Sequence, residues 1–136
     1  MVPLAKSAIK REGKQVTIVS YSRMLLLALQ AAEDLAKEGI DCEVIDLRTI
    51  RPLDLDPLLA SLKKTNHMVV AEEGWGTYGI GAGLAALVTE MGFDDLDAPI
   101  ARVAGADVPM PYAPNLEQLA LPQKDDIVAA VRKVLA

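Results

Sequence analysis

The 136-residue chain has one cysteine, one histidine, one tryptophan and one phenylalanine. The single Cys42 excludes an internal disulfide framework and fits a reducing compartment. With His67 as the sole imidazole, no Cys/His set of zinc type can be assembled. A Ser–His nucleophile would rest on a histidine at the mouth of an apolar strand, with no G-x-S-x-G elbow beside it, so His67 reads as a partly buried structural residue. No apolar run approaches the ~18 residues of a membrane span, and MVPLAKSAIKREGK lacks the apolar core of a secretory leader. Basic residues are the minority, 14 Lys and Arg against 19 Asp and Glu, and they are scattered. Nucleic-acid binding needs a basic face and is not expected, whereas a net charge of −5 suits a basic protein partner. There is no calcium loop of D-x-D-x-D-G type, so Asp94, Asp95 and Asp97 read as solvated or capping loop acids. Repeats, low-complexity tracts and linkers are absent too.

What is present is one domain's worth of core, with 51% hydrophobic and 24% charged residues. Strand and helix patterns alternate. QVTIVSY (15–21) reads as a strand, and MLLLALQAAEDLAKE follows as a helix with Ser22 as N-cap and Gly39 as C′. Leu25, Leu26, Leu29, Ala32 and Leu35 mark its strongest apolar face. DCEVIDL (41–47) is the next strand; after the RTIRPLDL loop, Asp56 as cap and Pro57 at the first helical position open the helix DPLLASLKK. HMVVA (67–71) is a strand, IGAGLAALVTEM (80–91) a helix, IARVAG (100–105) a strand and KDDIVAAVRKVL a helix with Ile127, Val128, Val131, Val134 and Leu135 on one face. Residues 6–11 suit a further strand. The pattern predicts an α/β fold, a three-layer α/β/α sandwich with a mostly parallel sheet. GADVPMPYAPNLEQLALPQ (105–123) carries four prolines, which suits a stiff arm with one short helical turn at NLEQLA. An arm of this length points to function or partner contact.

EEGWGTYG (72–79) contains G-x-G-x-x-G between a strand and a helix, the pattern of a dinucleotide site. Against that reading, Trp75 and Tyr78 fill the variable positions. Gly81 and Gly83 should delay the helix start, and the only acid placed to hold a ribose is Asp107, inside the arm. The competing reading is a glycine turn that lets strand and helix approach closely. A phosphate-receiver domain would need acids after the first parallel strand, where Ser20-Tyr21-Ser22-Arg23 stands.

PLAKSAIKREGKQVTIVSYSRM, EVIDLRTIRPLD, KKTNHMVVAEEGW, GIGAGL and LDAPIARVAGADVPMPYAPNLEQLALPQKDDI together resemble the C-terminal domain of pyruvate dehydrogenase beta subunits, within the transketolase superfamily. RTIRPLD alone points only to the superfamily, and the arm is the more specific segment. The resemblance spans residues 1–136, with 1–6 as the remnant of an interdomain connection. It implies a five-stranded mixed sheet of order 1-3-2-4-5 with strand 1 antiparallel. It also implies a parent enzyme that oxidatively decarboxylates pyruvate with thiamine diphosphate and Mg held elsewhere. No G-D-G…N-N motif occurs here, so no catalytic, cofactor or metal residue is expected in this piece and no chemistry from it alone. Its partners would be an alpha subunit, a second beta subunit in an alpha2beta2 tetramer, and the basic subunit-binding domain of a dihydrolipoyl acetyltransferase. The location would be the cytoplasm, or the mitochondrial matrix of a eukaryotic source. Carried over by motif, docking falls on Asp97 of the L-D-A-P turn and on the carboxylate of Ala136, with turn formation as the competing role of Asp97. Trp75, Tyr78, Met110 and Tyr112 would be subunit-contact surface, with a core role as the competing reading for Trp75. The alternatives are a free-standing dinucleotide-binding module and the same domain of a branched-chain dehydrogenase or deoxyxylulose-phosphate synthase.

Overall fold

The structure is a computed structural model and describes residues 2–136; Met1, first residue of the expected connection, lies outside the described residues. Five strands, β1 (Ala8–Arg11), β2 (Val16–Ser20), β3 (Cys42–Asp46), β4 (Met68–Trp75) and β5 (Ala101–Gly105), form one sheet. Their order is β1-β3-β2-β4-β5, with β1 antiparallel to β3 and the rest parallel. The helices are α1 (Met24–Lys37), α2 (Asp56–Thr65), α3 (Ile80–Gly92), α4 (Pro114–Ala120) and α5 (Lys124–Leu135). This is the expected α/β/α sandwich and strand order.

β2 is central and buried at every position. Because side chains alternate across a strand, Val16 and Ile18 join the core under α1 and α5, while Val19 joins the core under α2 and α3. β4 divides the same way, with Val69 and Ala71 on the first side and Met68 and Val70 on the second.

Four local expectations are corrected. The face of α1 against the sheet is Met24, Ala28, Ala31, Ala32 and Leu35, and Leu26 is 62% exposed. Small alanines let the helix approach the sheet closely, which leaves the bulky Leu25, Leu26 and Leu29 to its flanks. Ser22 caps nothing. It sits at φ 55°, and the cap position belongs to Arg23, without a side-chain bond. Asp56, not Pro57, is the first helical residue of α2, after Leu55 at the cap. Gly81 and Gly83 do not delay α3, which starts at Ile80 directly after Gly79. Elsewhere the signals hold: Gly39 follows α1 at φ 82°, and Gln123 and Asp126 close a capping box on α5.

The sheet separates two working ends. The carboxyl ends of β2, β4 and β5 and the start of α3 lie at one end. The turn before β5 and the last turn of α5 meet at the other, where Ala98–Ala101 face Lys133 and Val134.

Candidate functional surfaces

β4 runs four residues past the apolar HMVVA core and carries Glu72 into the interior, 1% exposed. Its Oε1 accepts the Gly81 N–H at 2.9 Å, and its Oε2 accepts the Tyr21 hydroxyl at 3.1 Å. A Cβ on Gly79 or on Gly81 would lie 2.6 Å from Oε1, and one on Gly79 would also meet the Trp75 carbonyl at 2.3 Å. Two of the glycines in this stretch therefore exist for an internal carboxylate. In a dinucleotide site the amides at the start of this helix face phosphate; here Glu72 holds that place. Burial, and then the adjacent Glu72 charge, push the Tyr21 phenol up to about 12. Asp107, the one candidate for a ribose, is also committed. It accepts from the Thr77 hydroxyl and, at 3.4 Å, from the Thr77 N–H, and the Thr77 hydroxyl bond holds its carboxyl below the usual range.

These contacts brace the glycine turn to the arm. The Trp75 indole N–H donates to the Val108 carbonyl at 3.1 Å, and the Arg102 guanidinium donates to the Gly76 carbonyl at 2.8 Å. The result is one platform at the carboxyl end of the sheet. Trp75 is 56% exposed, so the core role falls away, and Tyr78, Met110 and Tyr112 stand in solvent. Tyr78 has φ 56°, a left-handed conformation that costs a bulky residue energy, while its ring stands fully exposed. Val108, Leu116 and Leu119 extend the exposed apolar surface. Their signal in the sequence was the arm's apolar content, which proline spacing overshadowed.

Asp97 lies at the opposite end, after the short 3-10 turn Phe93–Asp95 and before β5. The turn is held by the backbone, since the Asp97 N–H donates to the Asn66 carbonyl at 3.0 Å and the Asn66 amide donates to the Asp95 carbonyl at 2.9 Å. The Asp97 carboxylate is thus left exposed on a 720 Å³ cavity, lined by Ala85, Ala86, Thr89 and Glu90 of α3 together with Phe93 and residues 96–100. Residues 98–100 also line a smaller cavity with Lys133 and Val134, one helical turn from Ala136. Asp97 and Ala136 therefore share one end of the molecule, and Trp75, Tyr78, Met110 and Tyr112 share the other.

The remaining groups with chemical potential are spoken for. His67 is half-buried with Nδ1 3.0 Å from the Thr65 carbonyl oxygen. Burial pushes the Cys42 thiol up to about 11. Glu43 is fully buried; burial alone would raise its carboxyl, but Lys64, Ser61 and the Gly13 N–H pull it below the usual range. Its Oε1 has no partner among the described residues. No group of three or more His, Cys, Asp or Glu able to hold a metal occurs among the described residues, and no described helix is long and apolar enough to cross a membrane.

Comparison with known proteins agrees with this geometry. Residues 5–127 match the family model for the transketolase C-terminal domain. Among curated proteins, the chain is 57% identical over 134 residues to the mitochondrial pyruvate dehydrogenase E1 component subunit beta of Dictyostelium discoideum, covering 98% of this chain and 38% of that protein. It is 54% identical over 133 residues to the corresponding subunit of Rickettsia felis, covering 98% of this chain and 41% of that protein. With the human mitochondrial subunit, identity is 49% over 136 residues, covering 99% and 38%. The chain thus spans about two-fifths of the length of these relatives. A solved split-gene transketolase, an inactive beta4 tetramer, superposes with TM-score 0.84 at 32% identity over 98% of this chain and 42% of that one. A 2-oxoglutarate:ferredoxin oxidoreductase from Magnetococcus marinus shares the fold, with TM-score 0.65 at 13% identity over 96% of this chain and 20% of that one. The chain belongs to the transketolase C-terminal domain family.

Proposed function

We propose that this member of the transketolase C-terminal domain family is the assembly and docking portion of a pyruvate dehydrogenase beta subunit. The parent would decarboxylate pyruvate oxidatively and acetylate a lipoyl group, in the cytoplasm or the mitochondrial matrix. Thiamine diphosphate and Mg would supply that chemistry, but the residues here do not fit them. The amide that would meet a diphosphate at the start of α3 already donates to Glu72, and the acids nearest to such a role, Glu43, Glu72 and Asp107, are taken up by Lys64, Gly81 and Thr77. No catalytic step is routed through this domain, and the isolated chain should be inactive.

The observation that carries the docking half is the Asp97 carboxylate. It stands free of the turn that its own backbone builds, on an apolar cavity that Glu90 also lines. A basic subunit-binding domain of a dihydrolipoyl acetyltransferase would place an arginine on Asp97 and apolar groups over Phe93 and Ile100. Ala136 would add its carboxylate from the same end. A charge-assisted bond to arginine is roughly twice as strong as a neutral one, and the net charge of −5 would speed encounter. The opposite platform, with Trp75, Tyr78, Met110 and Tyr112, would face an alpha subunit or a second beta subunit.

Calorimetry of the chain with such a basic domain tests the reading. Asp97→Asn keeps the turn and removes the charge, and should weaken binding by about 2 kcal/mol, roughly thirtyfold. An unchanged dissociation constant would refute the assignment of Asp97.

A further inference from the structure

The R-T-I-R-P-L-D stretch (48–54) has no part in either surface described above. It follows β3, and Leu53 and Leu55 pack on the core beneath α2 and α3, so the loop is anchored on both sides of Asp54. Aspartate in a surface loop is ordinarily solvated. The Asp54 side chain is only 9% exposed, because residues 6 and 7 of the peptide that leads into β1 lie against it.

The grip is on the main chain. The Ser7 N–H donates to Asp54 Oδ2 at 3.0 Å, and the Ser7 hydroxyl lies 3.2 Å from the Asp54 carbonyl oxygen and 3.3 Å from Oδ2. Two residues earlier, the Ala5 N–H donates to the Thr49 hydroxyl at 3.2 Å. Lys6 adds an ion pair to Asp54 at 3.4 Å, but its side chain is 64% exposed, and such surface pairs contribute little. Hydrophobic burial does not hold the peptide either, since Val2 is 65% and Leu4 91% exposed. Ala5 has φ 56°, a left-handed conformation unfavourable for a residue with a Cβ. A bend of this kind persists only where its surroundings hold it, and the bonds to Thr49 and Asp54 do so here.

We propose that loop 48–54 is a clasp for the peptide that enters the domain, with Thr49 and Asp54 as its holding residues, and that it sets the direction from which preceding polypeptide approaches. The ladder of β1 on β3 starts at Ala8, opposite Asp46, so the sheet stays whole whether the clasp is closed or open. Closed, it brings the entering chain to the carboxyl end of β3, the end of the sheet that bears Trp75 and Tyr78, and leaves the Asp97 end uncovered. Open, residues 2–7 swing about Ala8. The use of the clasp rests on reading residues 1–6 as part of an interdomain connection; its closure rests on the bonds alone.

Amide hydrogen exchange of the 136-residue chain, read residue by residue by NMR, is the test. In the wild type, Ala5 and Ser7 should be protected although their neighbours Val2 and Leu4 are exposed. Asp54→Ala should speed exchange at Ser7 by at least about tenfold, the effect of losing a bond to a charged acceptor. Val44 and Ile45 of β3 should keep their wild-type rates in that variant. Asp54→Asn, which keeps an oxygen acceptor without the charge, should fall between. Thr49→Val should speed exchange at Ala5, and it carries the test by itself if Asp54→Ala does not fold. A wild-type Ser7 that exchanges like an unstructured peptide overturns the proposal, as does an unchanged Ser7 rate in Asp54→Ala or an unchanged Ala5 rate in Thr49→Val. So does an Asp54→Ala chain whose β3 amides speed up as much as Ser7, since Asp54 would then hold the fold and not the entering peptide. Asp97→Asn should leave the Ala5 and Ser7 rates unchanged, so failure of the clasp and failure of docking at Asp97 are read separately.

Discussion

Gly81→Ala is the substitution that best separates an internal carboxylate site from a flexible turn. In an exposed helix the change would stabilise by about 1 kcal/mol. At this position the new Cβ would lie 2.6 Å from Glu72 Oε1 and 3.3 Å from Val70 Cγ1. Glu72 cannot swing away cheaply, because it is buried and its other oxygen accepts from Tyr21. Overpacking costs about 1–3 kcal/mol, and losing a buried hydrogen bond to a charged group about 1.5–3 kcal/mol. Taking about 2 kcal/mol for each and subtracting the propensity gain leaves a net loss of about 3 kcal/mol. With about 2.1 cal/mol/K per residue over the 136-residue chain, that is a fall in Tm of about 10 °C. Thermal and urea unfolding followed by circular dichroism would measure it. The double variant Gly81→Ala/Glu72→Ala should recover part of the loss, because the clash goes with the carboxylate. A single variant as stable as the wild type would refute the argument that Glu72 is why this glycine is there.

Further outcomes follow from the same buried acids. Lys64→Met leaves Glu43 with a buried charge and should cost about 2–3 kcal/mol, at the low end for a buried pair because the lysine itself is part-exposed. Since the folded-state pKa of Glu43 is depressed, the stability it contributes is full above the unfolded carboxyl value and fades as pH falls through the folded value. The gap between wild type and Lys64→Met, measured by urea unfolding, should therefore narrow as pH falls below the ordinary carboxyl value. Tyr21 should give a late phase in an ultraviolet titration, near 12, and Tyr21→Phe should remove that phase. Its raised pKa makes a stability contribution that is intact below about pH 10 and lost as pH rises through the folded value. Asp107→Ala should free the arm from the glycine turn, seen as faster amide exchange across residues 106–113 with little change in Tm.

Much of the fold is legible in the amino-acid pattern. Val16–Ser20 is a β-branched run, the helix over 124–135 has a clean apolar stripe, and the antiparallel first strand with its 1-3-2-4-5 order followed from resemblance. The face of α1 was misread because leucine signals burial by type, whereas contact with a sheet is governed by how closely the helix axis can approach, and that is set by Ala28, Ala31 and Ala32. The glycine turn was legible as a close approach but not as a carboxylate site. Glu72 and Glu73 are chemically alike and adjacent, and strand alternation sends only one of them inward. Nothing local in the sequence says which. Asp97 could be placed by its motif, but its exposure depends on the Asn66 carbonyl, 31 residues earlier in the chain, taking the hydrogen bond of the turn.

The acids divide by partner, and that division argues for a scaffold. A carboxylate that works on a substrate must be reachable and must exchange partners during the reaction. Glu43 is held by Lys64 and Gly13, Glu72 by Gly81 and Tyr21, and Asp107 by Thr77, each tying one secondary-structure element to another. These acids set the position of the glycine turn, the arm and the β1–β2 connection. Asp97 and Glu90 stand beside an apolar cavity at the amino end of the sheet, and Trp75, Tyr78 and Tyr112 are exposed at the carboxyl end, on a platform pinned by Asp107 and Arg102. A domain that fixes its buried acids and leaves Asp97 at one end and Trp75, Tyr78 and Tyr112 exposed at the other suits the assembly and docking role proposed above.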